Sequence, residues 1–189
     1  MVIEESSVVA AASKSAKFWQ DKGGFHSKVL STRKFGQVHF IWEGDYNKLY
    51  CIFDEFKEAC LKATASLTKN MRQRGGGIID IELLDMRHLD ENYYQIKGTF
   101  ETCDSMGANF INSCLEMFAR TFETWLLEKD IFTQKEKDVT IVMSILSNYT
   151  PECLVRTWVE CPIEDLGEID GFAPEIFAYK VKKAVEIAT

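Results

Sequence analysis

The chain has 189 residues, with 22 Lys and Arg against 29 Asp and Glu, for a formal net charge of −7. That length can bury one core, or one core plus pieces of a second. The acidic balance argues against a nucleic-acid or anionic-membrane binder.

Residues 7–20 read as a helix: Ser6 or Ser7 can cap it, Val8, Val9, Ala12, Ala16 and Phe18 give it an apolar side, and Gly23-Gly24 ends it. The β-rich run Gln37–Glu43 predicts a strand closed by Gly44-Asp45. A long helix is expected from Tyr46 to Arg72, with Leu49, Ile52, Phe53, Phe56, Cys60 and Ala63 at spacings of three and four. After Gly75-Gly76-Gly77, two strands are expected at Ile78–Met86 and Tyr93–Cys103 around a polar turn at residues 89–92, an antiparallel pair. Phe110–Lys129 reads as a second long helix and Val139–Leu146 as a further strand. The tail holds an irregular or short-helical stretch at 150–161, an acidic loop at 163–171, and a helix opened by Pro174 that runs to about Ile187. From Gln37 to Leu146 the order is β-α-β-β-α-β. That predicts an α+β fold, a ferredoxin-like sandwich with flanking helices.

No run approaches the roughly 20 apolar residues that span a bilayer. The opening Met1-Val2-Ile3-Glu4-Glu5 lacks the basic and apolar regions of a signal peptide. The six cysteines show no Cys-x-x-Cys pair and no zinc spacing, and Cys60 and Cys114 fall on amphipathic helical runs where a buried thiol is expected. These features suit a reducing cytoplasm, with no metal site.

Asp104-Ser105-Met106-Gly107-Ala108-Asn109 lies where an extended run gives way to a helical one. A helix start has free N–H groups and the positive end of the dipole, which suits an anion, and glycine gives room beside the backbone. Alone, this motif is weak. Three other segments accompany it in order: Val2-Ile3-Glu4-Glu5-Ser6-Ser7-Val8-Val9, Gly75-Gly76-Gly77-Ile78-Ile79-Asp80-Ile81, and Ile145-Leu146-Ser147-Asn148. Together the four resemble 3-hydroxy-3-methylglutaryl-coenzyme A (HMG-CoA) reductase, most closely its class II, bacterial-type branch, over nearly the whole chain.

The resemblance implies an NADPH- or NADH-dependent oxidoreductase that reduces HMG-CoA to mevalonate and coenzyme A in two hydride transfers. It implies three parts: residues 1–29 and 149–189 from a large substrate-binding domain, and 30–148 as the small cofactor-binding domain. Glu5 matches the proton-delivering glutamate, a role that needs burial or a neighbouring carboxylate to raise its pKa. The family usually has proline after that glutamate; here Ser6 stands there. Ser7 matches a serine that contacts the substrate's carboxylate end, and Asn148 an active-site asparagine. Asp104, Met106, Gly107 and Asn109 match the dinucleotide-contacting loop. Counting back from the triple glycine to a position that carries an NAD-selecting aspartate in some class II enzymes gives Thr68, with Lys69, Arg72 and Arg74 nearby. Basic neighbours without a carboxylate tolerate a 2′-phosphate, so NADPH is at least as fitting as NADH.

None of His26, His39 and His88 matches the family's catalytic histidine, and its catalytic lysine and aspartate have no counterpart in these residues. The chain is therefore expected to be a truncated part, inactive alone, from a homo-oligomeric enzyme. The competing expectation is a non-catalytic ferredoxin-like module for ligand binding or oligomerisation.

Overall fold

The computed structural model describes residues 5–188. Ser31–Leu154 forms one compact unit, and the segments before and after it form a second.

The first unit holds β2 (Gly77–Asp85), β3 (Tyr93–Glu101), β4 (Val139–Leu146) and, from Ser31 on, β1 (His26–Trp42); they pair in the order β2-β3-β1-β4, and the registered pairs are antiparallel. Three helices, α2 (Tyr46–Cys51), α3 (Phe53–Ala63) and α4 (Ala65–Gln73), lie between β1 and β2, and α5 (Ala108–Glu128) lies between β3 and β4. Alternation along β1 turns Val38, Phe40 and Trp42 into the core, where they meet Phe56, Ile96, Phe118 and Phe122. Gly36 and Gly98 sit opposite each other in the β1–β3 pair. A Cβ on Gly36 would lie 2.4 Å from Leu115 Cδ1, and one on Gly98 would lie 3.2 Å from the Phe118 ring. This glycine pair is what lets α5 lie directly on the sheet.

The expected single helix over 46–72 is broken twice. Ile52 leaves helical geometry with ψ 10°, and Thr64 bends the chain as its buried hydroxyl donates to the Cys60 carbonyl at 2.7 Å. β1 begins eleven residues before the expected Gln37: it is exposed over His26–Leu30 and half-buried at Ser31, Thr32 and Lys34, and lacks the apolar alternation of its second half. Residues 150–161 also depart from expectation: Cys153–Trp158 is a strand, β5, which pairs with β1. All six of its residues are exposed, so no burial pattern announced it.

In the second unit, α1 (Ser6–Gln20) and α6 (Pro174–Ala188) contain no buried residue. Ile163–Leu166 is a 3-10 turn within the expected acidic loop. Val8, Val9 and Val181 stay exposed, and Phe18 and Phe177 are half-buried beside a hollow of about 310 Å³ that Trp19 and Ile169 also line.

One buried carboxylate ties the end of β1 to the turn after α5. The Trp42 indole N–H donates to the Glu136 carbonyl at 2.6 Å. The Glu136 side chain accepts from the Asp45 and Thr133 amides at 3.2 and 2.8 Å and from Lys48 Nζ at 3.1 Å. The Thr133 amide, with Lys48 and Asp45 behind it, holds this carboxyl down from its usual 4.5 to about 2. A pKa depressed by folding stabilises above 4.5 and loses that contribution as the pH falls toward 2. Because Lys48 is about a third exposed and screened, the contribution is ~2 kcal/mol rather than the full ~3 kcal/mol of the shift. Thermal melts between pH 6 and pH 3 should show this loss, and Glu136→Gln should flatten the dependence. An equally steep dependence in the variant would exclude Glu136 as its source.

Candidate functional site

One end of the sheet gathers most of the residues singled out in the sequence. There β3 ends at Glu101, which pairs with Arg33 of β1 and Gly77 of β2. β4 ends at Leu146, which pairs with Gly36. The Leu146 amide donates to the Asn112 side chain, at 2.9 Å, in the first turns of α5. Asn148 follows at once, exposed, between Ser147 and Tyr149, which exchange hydrogen bonds at 2.9 and 3.2 Å.

The loop from Thr102 to Gly107 opens α5. Cys103 and Gly107 both take left-handed backbone, at φ 54° and 75°. Gly107 is the N-cap and offers no side chain, so the first amides of α5 face outward without intrahelical acceptors. Asp104, Met106 and Asn109 are exposed, Met106 by 73%.

Gly107 was expected to leave room for a ligand; the geometry assigns that space differently. A Cβ on it would lie 2.4 Å from Thr102 Cγ2 and 2.8 Å from Thr102 Cβ. Thr102 is wholly buried. The chain's own threonine fills the place of the missing side chain, and the left-handed φ independently requires glycine.

Beneath the loop lies a polar network the sequence reading missed. The Lys34 ammonium donates to Thr102 Oγ1 at 2.7 Å, to the Ser105 carbonyl at 3.3 Å and to the Thr32 carbonyl at 3.5 Å. The Thr102 hydroxyl donates onward to the Ser105 carbonyl at 2.7 Å, and the Ser105 hydroxyl returns to the Thr102 carbonyl at 2.7 Å. Glu101 accepts from the Thr32 hydroxyl at 2.5 Å and from the Cys103 amide at 2.7 Å. The Thr32 hydroxyl foremost, then the Cys103 amide and the nearby Lys34 charge, hold its carboxyl below the usual range. No spacing rule links residues 32 and 34 to 101–105; only the β1–β3 register does.

The same end carries the basic terminus of α4. Cys103 Sγ donates to the Arg74 carbonyl at 3.2 Å. Thr68 is buried, and its hydroxyl donates to the Ala65 carbonyl at 3.3 Å. It lines a hollow of about 330 Å³ with Arg72, Gly76 and Ile78. Exposed Lys69 and Arg72 flank a second hollow of about 370 Å³. Of these side chains, Lys69 and Arg72 present charge to solvent.

Glu5 and Ser7 belong to the other unit and are exposed. Glu5, not Ser6 or Ser7, occupies the N-cap of α1, without a side-chain capping bond; its carboxylate instead accepts from Ser7 Oγ at 3.1 Å. Among the histidines, His39 Nδ1 lies 2.6 Å from the Tyr93 hydroxyl, and burial lowers its pKa. Burial pushes the Cys114 thiol up to about 12, and Cys60 higher still, so neither is a nucleophile. Among the described residues no cluster of three or more His, Cys, Asp or Glu is placed to hold a metal ion. No helix among them is long and apolar enough to cross a membrane.

Residues 1–189 match the family model described as hydroxymethylglutaryl-coenzyme A reductase. A Borreliella burgdorferi protein described as a probable 3-hydroxy-3-methylglutaryl-coenzyme A reductase is 36% identical over 119 residues, 61% of this chain and 26% of that protein. The Archaeoglobus fulgidus reductase is 28% identical over 123 residues, 65% of this chain and 28% of its own length. A structure of the class II reductase from Streptococcus pneumoniae, bound to NADPH in open conformations, superposes with a TM-score of 0.68 at 26% identity. It covers all of this chain and 42% of its own. A second structure of the S. pneumoniae enzyme gives 0.67 at 27% identity. The chain thus spans about a quarter of the length of the curated relatives it matches.

Proposed function

The chain belongs to the hydroxymethylglutaryl-coenzyme A reductase family, and from that premise we propose that Ser31–Leu154 is the nicotinamide-dinucleotide-binding part of an HMG-CoA reductase. We read its β2-β3-β1-β4 sheet with covering helices as a ferredoxin-like scaffold. The segments on either side are parts of a substrate-binding domain. The complete enzyme reduces HMG-CoA to mevalonate and coenzyme A, as a homo-oligomer in the cytoplasm.

The observation that carries this reading is the meeting, at one end of the sheet, of an open helix N-terminus and a basic helix end. The uncapped amides of α5 suit a pyrophosphate. Lys69 and Arg72 suit a 2′-phosphate, in keeping with the NADPH bound by the S. pneumoniae enzyme. Thr68 supports that position from beneath rather than reaching the ligand. Asp104, Met106 and Asn109 border the pyrophosphate, and Asn148 stands toward the substrate. The bound dinucleotide supplies the hydrides. Each hydride leaves negative charge on a substrate oxygen, and Glu5 delivers the proton that quenches it. Ser7 orients Glu5 and meets the carboxylate end of the substrate.

The test is nucleotide binding followed by fluorescence of the reduced cofactor. Arg72→Glu should weaken NADPH at least tenfold while changing NADH less than threefold, because only NADPH meets the reversed charge at its 2′-phosphate. Equal losses for both nucleotides would remove Arg72 from the 2′-phosphate site. Absence of binding to the parent chain would remove the site itself.

A further inference from the structure

We infer that Lys34 is a positioning residue for the dinucleotide loop, a role that rests on the reading above and that no motif of the chain marks. Three facts converge on it. Its ammonium reaches Thr102 Oγ1, the Ser105 carbonyl and the Thr32 carbonyl, three acceptors for three donors. Its hydrogen bonds are therefore spent inside the protein, and it acts on a ligand only through the loop it holds. Thr102, the nearest of these partners, is buried directly under Gly107. The rotamer that places the Thr102 hydroxyl on Lys34 and Ser105 also places Cγ2 against the glycine that opens α5.

The chain of contact is thus Lys34 to Thr102 to Gly107 to the first amides of α5. Removing the ammonium leaves the buried Thr102 hydroxyl without the donor it accepts from and the Ser105 carbonyl with the Thr102 hydroxyl alone. The Thr102 side chain, packed against Gly107, is then held by the Ser105 carbonyl alone. Glu101 balances the charge: its carboxylate accepts from the Thr32 hydroxyl and the Cys103 amide. Lys34 and Glu101 both reach Thr32, through its carbonyl and its hydroxyl, and together tie β1 to the turn from β3 into α5.

A positioning role for the pyrophosphate loop separates ligands that contain a pyrophosphate from those that do not. Lys34→Met, which keeps the apolar stem, should weaken NADPH and ADP-ribose about tenfold. Adenosine 2′-monophosphate, which lacks the pyrophosphate, should change less than twofold. Amide hydrogen exchange at Ser105–Asn109 should quicken in the variant while the β1–β3 pairing stays protected. Lys34→Arg should restore part of the ADP-ribose affinity, and Thr102→Val should reproduce the loss without adding to it in the double variant. Three results would overturn the inference: unchanged loop exchange, faster exchange with unaltered ADP-ribose affinity, or an equal loss for all three ligands, which marks a general structural defect. Failure of the unaltered chain to bind ADP-ribose at all would instead remove the nucleotide reading on which the inference stands.

Discussion

Gly107→Val is expected to destabilise the chain by ~3 kcal/mol or more and to abolish dinucleotide binding. Two independent costs add at this position. The residue holds φ 75°, where a side chain costs ~1–2 kcal/mol and a β-branched one more. Its Cβ would also stand 2.4 Å from Thr102 Cγ2, and relieving such an overlap in a packed site costs ~1–3 kcal/mol. The melting temperature should fall by roughly 10 °C. Gly107→Ala should behave the same way at reduced size, and Thr102→Ser should recover part of its cost by removing the methyl it strikes. A cycle of these two substitutions separates the two terms: coupling reports the clash, and the uncoupled remainder reports the left-handed backbone. If Gly107→Val keeps its melting temperature and loses only nucleotide affinity, the space at Gly107 belongs to the ligand after all.

The contrast between these outcomes shows what was legible in the sequence. The Asp104–Asn109 motif lies at the start of α5, and its glycine was read as leaving room for a ligand. The reason for the glycine was not legible, because the atom that excludes a side chain comes from Thr102, an unremarkable residue just upstream. The strands at Gly77–Asp85, Tyr93–Glu101 and Val139–Leu146 and the helix Ala108–Glu128 lie within two residues of expectation. Helix α5 buries Ile111, Cys114, Leu115, Phe118 and Phe122 at the helical period, and β2 buries Ile81 and Leu83 at a period of two. What escaped lacked that signal. The outer part of β1, His26–Leu30, and all of β5 are exposed strand, held by pairing rather than by an apolar face. The breaks at Ile52 and Thr64 arise from single local contacts within an otherwise continuous helical pattern. Lys34 escaped for a third reason. It sits in a polar run that reads as solvated surface, and only the register that sets Arg33 opposite Glu101 carries its neighbour to the loop. Thr68 marks a different limit: counting along the chain singles out this position, but the helical twist turns Thr68 inward and leaves Lys69 and Arg72 exposed.

Glu5→Gln, assayed in the full-length protein, is expected to lower kcat by ~10²–10⁴ while leaving KM for HMG-CoA and NADPH within about threefold. The substitution keeps shape and an oxygen that accepts from Ser7, whose hydroxyl lies 3.1 Å from the carboxylate, but it removes the transferable proton. An interaction that matters only as charge develops on the substrate oxygen appears in kcat and not in ground-state binding. Ser7→Ala, which deletes only the hydroxyl 3.1 Å from the carboxylate, should reduce kcat far less. A Glu5→Gln enzyme that retains more than a third of its kcat would assign proton delivery to another group and return Glu5 to the N-cap of α1.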